Sequence, residues 1–298
     1  MAASQTVPTP SSESVSLSWV HDRLDLNLID LVSMDCSSPV YDDSANLTIL
    51  NKPSSSETPK LTIWFDIDNV CYSRVPPAAS SGTTYEEYGL AIRGLIRHHS
   101  IDPLDYDKNC DLAIPLEDIL SPDQGLRQLL LDIDRSKARV WCITNAYKTH
   151  ALRVLKIMNL SDLIEGVVSC DYTNHNFHCK PEKGYVTSSS YLYTLLEPLH
   201  FRPCSVRIDS KIIRTRPNAN DLEATDFTNH LLVDDALINI VGASKIGYGS
   251  SVHFDEDSTT GNGSSSTVKT EDGTEYQRIT ALDQLRNLDI WKDCFLKK

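Results

Sequence analysis

Two pairs of aspartates are the residues of this chain best suited to chemistry. Asp66 and Asp68 stand two positions apart directly after the apolar run LTIWF, and Asp234-Asp235 follow the run HLLV. Carboxylates placed together repel one another, so one is driven neutral unless a divalent cation lies between them. Carboxylate oxygens are ligands that suit Mg²⁺. The sequence therefore predicts a magnesium site whose ligands are Asp66, Asp68, Asp234 and Asp235.

Three further residues could hold a phosphoryl group beside that ion. Thr144 ends the run RVWCIT and offers a hydroxyl, with Asn145 next to it, and Lys180 offers a positive charge. A metal ion and a lysine can neutralise the oxygens of a phosphoryl group while a carboxylate attacks phosphorus. We therefore expect a site for phosphoryl chemistry.

Short apolar runs predict the strands that must bring these residues together. They are 61–69, 139–146, 164–171, 230–236 and 250–254, and each is typical of a parallel strand buried on both faces. Helical patterns occupy 147–158 and 236–245. This alternation predicts an α/β fold with a doubly wound parallel sheet. Ligands bind at the carboxyl ends of the strands in that architecture, which is where the candidate residues fall.

The rest of the chain predicts additions to this core. Residues 1–60 are rich in Ser, Thr, Pro and Asp, so we expect them to be disordered or weakly helical. The expected divisions are a core over 61–84 and 132–254, a reduced helical cap inserted after the first strand over 85–131, a flexible loop over 255–277 and a closing helix over 278–298.

The charge balance narrows the class of partner. The chain of 298 residues has 28 Lys and Arg against 41 Asp and Glu, a net charge of −13. Binding to a nucleic acid polymer or an anionic membrane requires a basic face, so we expect neither partner. The eight cysteines lack a repeated CxxC spacing, which indicates reduced thiols. We expect a cytoplasmic protein, with the nucleus as a further location, and no obligate protein partner.

Four motifs, in chain order, resemble those of the haloacid dehalogenase (HAD) superfamily of hydrolases. They are FDIDN, ITNA, CKPE and LLVDDALINIVGA; CKPE follows the predicted strand 164–171, and each of the others includes the end of a predicted strand. The segments YGLAIRGLIRHHSIDPLDYD and AIPLEDIL are further similar to the fungal and plant pyrimidine 5′-nucleotidase branch. The resemblance covers about 61–182 and 219–254.

The resemblance implies a catalytic role for three residues. Asp66 would be the nucleophile that forms an aspartyl-phosphate. Asp68 would protonate the leaving oxygen and then activate water. Lys180 would orient the nucleophile and balance its charge. The backbone carbonyl of Ile67 or Asp68 would complete the shell of ligands around Mg²⁺.

The resemblance also implies the binding residues and the substrate. Thr144 and the backbone of Asn145 would hold phosphate oxygens. Asp235 would be the best Mg²⁺ ligand of the fourth motif, with Asp234 beside it and Asn239 in support. The activity implied is Mg²⁺-dependent hydrolysis of nucleoside 5′-monophosphates.

Two other functions stay open on the sequence. One is a phosphatase acting on another small phosphomonoester, such as lysophosphatidic acid or a sugar phosphate. The other is a catalytically impaired member of the superfamily that binds a partner, because the cap is short and residues 183–218 interrupt the usual pattern. We interpret 183–218 either as a surface loop or as a gene-model artefact.

Four cations in the insert also leave two interpretations. They could face the substrate, or they could form a solvated helix face. They are Arg93, Arg97, His98 and His99.

Overall fold

The structure is a computed structural model that describes residues 46–51, 61–73, 90–174, 176–183, 185, 226–258 and 265–297. Most of the N-terminal extension and most of the atypical segment 183–218 lie outside these residues. What was predicted for those parts stays a prediction.

A mostly parallel β-sheet is the framework of the described chain. Its strands are β1 (Leu47–Ile49), β2 (Leu61–Phe65), β3 (Ala138–Tyr147), β4 (Gly166–Cys170), β5 (His230–Asp234), β6 (Ser250–Phe254), β7 (Ser266–Lys269) and β8 (Glu275–Ile279). They lie in the order β1-β4-β3-β2-β5-β6-β8-β7. The two edge strands, β1 and β7, pair antiparallel, and the pairs between them are parallel.

Helices cover both faces of this sheet. They are α1 (Ala91–His99), α2 (Pro103–Tyr106), α3 (Leu116–Ile119), α4 (Gln124–Leu131), α5 (Lys148–Ile157), α6 (Leu237–Ile246) and α7 (Asp289–Lys292). A π-helical turn over Asp107–Asp111 lies between α2 and α3, and a 3₁₀ helix covers Leu282–Asn287. Side chains of α4 and α5 belong to one apolar core, and side chains of α1 and α6 belong to the other. The predicted α/β class with a doubly wound parallel sheet is confirmed.

The sequence of the central strand β2 is almost entirely apolar because both of its faces are buried. Ile63 and Phe65 point into the core on one face of the sheet, and Trp64 points into the core on the other face. Trp64 donates a hydrogen bond through its indole nitrogen to Nδ1 of His230 at 2.9 Å. A strand with a packed layer on each side has no solvent-facing positions, so polar alternation is lost.

The predicted flexible loop over 255–277 is wrong for its second half. Residues 266–269 form β7 and residues 275–279 form β8, and the two strands pair around a turn in which Gly273 adopts a positive φ of 86°. One face of β7 is exposed, so the exposed Thr267 and Lys269 alternate with the partly buried Ser266 and Val268. A half-solvated edge strand has the same polar composition as a loop, and composition alone misled the prediction.

The predicted closing helix over 278–298 is also wrong. The segment begins in β8, continues as the 3₁₀ helix and ends in the short helix α7. Leu282, Leu285, Leu288 and Trp291 contact the same apolar core. Leu282 and Leu285 lie three positions apart in the 3₁₀ helix and share one face, because that helix has three residues per turn.

A short β-strand lies inside the segment 1–60, for which the sequence predicts disorder or weak helix. Residues 47–49, in the segment expected to be disordered or weakly helical, pair with β4 at the edge of the sheet. The side chain of Asn51 fixes this strand by donating to the backbone carbonyls of Ser161 and Ile164 at 2.6 and 2.7 Å. The segment LTI is thus a short strand that pairs with β4 at the edge of the sheet.

The insert between β2 and β3 is helical where it is described, over 90–131. It contains α1 to α4 and the π-helical turn. Its role as a cap stays a prediction. No helix in the described part of the chain is long and apolar enough to cross a membrane.

Candidate active site

The candidate residues meet at the carboxyl ends of three adjacent strands. β2 lies between β3 and β5 and is parallel to both. Asp66 follows β2, Thr144 lies near the end of β3, and Asp234 ends β5. The pairing of β3 with β4 shifts register between Ile143 and Tyr147, which releases Thr144 from the regular ladder. Ligands bind at this edge of a doubly wound sheet.

A buried lysine links two of these strand ends. Nζ of Lys180 lies 2.8 Å from Oδ1 of Asp66 and 2.6 Å from Oδ2 of Asp234. It also donates to the backbone carbonyl of Ile143 at 3.1 Å. Burial lowers the pKa of Lys180, but the charges of Asp234 and Asp66 more than offset this and raise it above its usual value. The ammonium is therefore charged and fixed between the two carboxylates.

Three carboxylates form a group that could hold a metal ion. One oxygen each of Asp66, Asp234 and Asp235 lies within 4.8 Å of the others. Burial and the charge of Asp234 raise the pKa of Asp66 well above its usual value. A cation beside Asp66 would offset both effects and keep it ionised. This donor set of carboxylate oxygens fits Mg²⁺.

Neighbouring amides orient two members of this group. Asn239 donates from its amide to Oδ1 of Asp234 at 3.0 Å, and Asn69 donates to Oδ2 of Asp235 at 3.1 Å. Asp234 is fully buried and also contacts Lys180, whereas Asp235 lines the cavity described below. The two adjacent aspartates are thus placed differently, one against the lysine and one toward the open site.

The carboxylate of Asp68 does not join the metal-binding group. Its Oδ1 accepts hydrogen bonds from the hydroxyl of Tyr72 at 2.6 Å and from Nε2 of His150 at 2.7 Å. Its Oδ2 lies 3.4 Å from the hydroxyl of Thr144. The prediction that this side chain is a metal ligand therefore does not match the geometry, because its two donors turn it toward α5. Burial raises the pKa of Asp68, but the hydrogen bond and charge of His150 hold it below its usual value.

Asn145 supports the lysine through its side chain. Its Oδ1 accepts from the backbone nitrogen of Lys180 at 2.7 Å, and its Nδ2 donates to the backbone carbonyl of the same residue at 3.1 Å. Thr144 also lines the cavity described below, and its hydroxyl accepts a hydrogen bond from the backbone nitrogen of Ala146 at 3.0 Å. The side chain of Asn145, in the motif ITNA, thus holds the backbone of Lys180, in the motif CKPE.

A cavity of about 440 Å³ opens above these groups. We call the lining residues Asp66, Asp235 and Lys180 its floor, and we call the lining residues from the insert and from the loop after β4 its wall. The insert and loop residues on that wall are Leu90, Ile92, Tyr106, Asp111 and Tyr172. The volume is within the range of small-molecule sites, about 300–1,000 Å³.

The four cations of α1 do not line this cavity. Arg93 forms an ion pair with Glu182 at 2.6 Å. Arg97, His98 and His99 are exposed in the last turn of the helix. Of the two interpretations of this group, the structure favours a solvated helix face.

Three residues of the site were missed from the sequence. They are Asn69, Tyr72 and His150, which contact the candidate aspartates directly. Each had one available signal, since each lies within six positions of a motif residue, in the loop after β2 or in the first turn after β3. The sequence did not indicate which of these nearby polar residues turns toward the site.

Comparison with known proteins finds no matching family model but does find a curated relative in yeast. The chain is 28% identical over 267 residues to phosphate metabolism protein 8 of Saccharomyces cerevisiae, covering 87% of this chain and 71% of the yeast protein.

Solved structures with a similar fold were also found. A HAD-superfamily hydrolase of subfamily IA from Geobacter sulfurreducens is 16% identical, with a TM-score of 0.36, over 67% of this chain and 90% of its own. The HAD hydrolase YfnB of Bacillus subtilis, bound to magnesium, is 14% identical, with a TM-score of 0.37, over 77% of this chain and 98% of its own.

The order and the convergence of the motifs are the features that this chain shares with a known superfamily. FDIDN, ITNA, CKPE and LLVDDA occur in that order along the chain. Their residues Asp66, Thr144, Lys180 and Asp235 line one cavity at the carboxyl edge of a doubly wound sheet. In the order of its motifs and in their convergence, the chain is similar to the haloacid dehalogenase superfamily of hydrolases.

Proposed function

We propose that this protein is a Mg²⁺-dependent phosphomonoesterase that hydrolyses nucleoside 5′-monophosphates through an aspartyl-phosphate. One observation carries the proposal. Lys180 contacts Asp66 and Asp234 directly, and Asp235 lies within 4.8 Å of both, on the floor of a cavity large enough for a small phosphate ester.

The two oxygens of Asp66 have different surroundings, and this suits a nucleophile. Oδ1 accepts from the backbone nitrogen of Ile67 at 2.8 Å and from Nζ of Lys180 at 2.8 Å. Among the described residues, no hydrogen bond to Oδ2 is present. We assign the attack on phosphorus to Oδ2, because Oδ1 is held by two donors that fix the carboxylate.

The remaining residues bind the phosphoryl group and move protons. Thr144 lines the cavity beside Asp68, where its hydroxyl can donate a hydrogen bond to a phosphate oxygen. Asp68 protonates the ester oxygen as the leaving group departs and later accepts a proton from the water that attacks the aspartyl-phosphate. Asp66 and Asp235 would hold Mg²⁺, which neutralises phosphate oxygens and keeps the nucleophile ionised.

The side chains of the cavity wall support a nucleoside as the leaving group. Tyr106 and Tyr172 bring phenol rings to a cavity that Leu90 and Ile92 also line. Aromatic rings stack on planar bases, and aliphatic side chains exclude water around them. Asp111 adds a carboxylate that can accept a hydrogen bond from a hydroxyl or an N–H of the nucleoside.

A substrate panel tests this function. We expect nucleoside 5′-monophosphates to be hydrolysed with kcat/KM at least about tenfold above glycerol 3-phosphate, glucose 6-phosphate and lysophosphatidic acid, since only the nucleotides place a base against the aromatic wall. Inorganic phosphate release with excess Mg²⁺ is the measurement. A higher kcat/KM for lysophosphatidic acid or a sugar phosphate favours the second function, and no release from any ester favours the impaired binding protein.

The metal site makes a prediction that does not depend on turnover. We expect Mg²⁺ to raise the Tm of the wild-type protein and to leave the Tm of Asp235→Asn almost unchanged, because a ligand of the folded state stabilises in proportion to its occupancy. Thermal unfolding is measured without Mg²⁺ and with Mg²⁺ at roughly 10 times its dissociation constant, and the difference in Tm gives the shift.

A matched control separates the site from general charge effects. Asp289 is 98% exposed and lies in α7, so Asp289→Asn removes the same charge elsewhere. This control is expected to keep the wild-type response to Mg²⁺. An equal response in Asp235→Asn and in the wild type would remove Asp235 from the metal site. Excess EDTA is expected to abolish phosphate release by the wild type.

A further inference from the structure

The two oxygens of Asp68 accept hydrogen bonds of different lengths, two short ones at Oδ1 and one long one at Oδ2. Oδ1 accepts from Tyr72 at 2.6 Å and from His150 at 2.7 Å, whereas Oδ2 faces the hydroxyl of Thr144 at 3.4 Å. A carboxylate oxygen has about two lone pairs for hydrogen bonding, so the two donors occupy Oδ1. Oδ2 is the oxygen turned toward the phosphate-binding residue.

Both donors of this clamp on Oδ1 are themselves well fixed. His150 lies in the first turn of α5 with its side chain 12% exposed. The preceding residue, Thr149, donates to Oδ1 of Asp107 in the π-helical turn at 2.7 Å, which anchors the start of the helix to the insert. Burial and the charge of Asp68 raise the pKa of Tyr72 well above its usual value, so the phenol remains a donor.

We propose that His150 is a positioning residue that, with Tyr72, holds Oδ1 of Asp68 and leaves Oδ2 as the oxygen that transfers the proton. This inference rests on the proposed function. In the first step a proton leaves Oδ2 for the ester oxygen as Asp66 bonds to phosphorus and the phosphorus–ester bond breaks. In the second step water attacks phosphorus, the aspartyl bond breaks, and Oδ2 takes the proton from that water.

The clamp works in both protonation states of Asp68. Oδ1 accepts from the same two donors whether Oδ2 is ionised or carries the proton. His150 therefore needs no change of charge during the cycle, and only its Nε2–H is required. A neutral side chain of similar reach that also presents an N–H should replace it, which distinguishes positioning from a charge effect.

The leaving group of the substrate provides a direct test. A nucleoside is a poor leaving group and needs a proton, whereas p-nitrophenolate leaves without one. Since kcat/KM reports the steps up to departure of the first product, it isolates the acid step. We expect His150→Ala to lower kcat/KM for a nucleoside monophosphate by about 100-fold and for p-nitrophenyl phosphate by less than about threefold.

Two further variants and a control complete the experiment. We expect His150→Gln to regain at least about a tenth of the wild-type kcat/KM for the nucleotide, and Tyr72→Phe to show the same selective loss as His150→Ala. His99→Ala, at an exposed position in α1, is expected to match the wild type on both esters. Tyr72→Phe keeps the test valid if His150→Ala does not fold.

Each other outcome overturns the inference. Equal losses on both esters would indicate a structural role for His150, and no loss on either would indicate no role. Failure of His150→Gln to regain activity while it folds would favour a need for charge. A wild-type protein that hydrolyses neither ester removes the proposed function itself, whereas an active wild type with unselective variants removes only the clamp.

Discussion

Asp66→Asn is expected to lose at least about 10⁴-fold in kcat while keeping its fold, because removing a nucleophile costs about this much or more. The asparagine side chain has the same shape, and its oxygen can still accept from Ile67 and Lys180, which donate to Oδ1 in the wild type. The amide cannot form the covalent intermediate. Phosphate release under single-turnover and steady-state conditions measures the loss.

The pKa of Asp66 also predicts the direction in which Asp66→Asn changes the free energy of unfolding. Burial and Asp234 raise the pKa of Asp66 in the folded state, so ionised Asp66 lowers the free energy of unfolding as pH rises through that pKa. Asparagine carries no charge, so we expect Asp66→Asn without metal to be at least as stable as the wild type at neutral pH. Urea unfolding checks this. Turnover equal to the wild type would overturn the assignment of the nucleophile.

Lys180→Met is expected to be the most destabilising of the substitutions considered. Lys180 is 2% exposed and lies between Asp66 and Asp234, so its loss leaves two buried carboxylates facing one another. Removing one partner of a buried ion pair costs about 3–5 kcal/mol. We expect a loss of this size in the free energy of unfolding at neutral pH, measured in urea without metal, together with loss of hydrolysis.

A double variant isolates the electrostatic cause. Lys180→Met with Asp234→Asn removes one of the two facing charges, and the new amide oxygen can still accept from Asn239. We expect the double variant to recover at least about 1 kcal/mol relative to Lys180→Met. The exposed Lys156 offers the matched control, since Lys156→Met should leave the unfolding curve unchanged. An unfolding free energy of Lys180→Met within error of the wild type would contradict the ion-pair account.

The central sheet could be predicted because its strands carry a strong local signal. β2, β3 and β5 are buried on both faces and appear in the sequence as mainly apolar runs without polar alternation. The half-exposed strands β1 and β7 lack that signal, and pairing with a neighbouring strand decides their structure. The three-residue repeat after β8 was read as α-helical because an amphipathic 3₁₀ segment has a similar composition.

The site could be predicted as far as the ends of strands determine it. Asp66, Thr144 and Asp234 follow or end buried strands, so their meeting follows from the topology. Side-chain rotation is not encoded in this way. The sequence predicts that Asp68 is a metal ligand like Asp66, whereas the donors Tyr72 and His150 turn its side chain away from the metal-binding group.

The covalent intermediate is the most direct test of the whole account. The enzyme should be mixed with Mg²⁺ and a nucleoside monophosphate, quenched in acid during turnover, digested and mapped by mass spectrometry. We predict one phosphoryl group on the peptide that contains Asp66, and none on that peptide from Asp66→Asn. A phosphoryl group on another residue, or turnover with an unmodified Asp66 peptide at every quench time, would contradict the account.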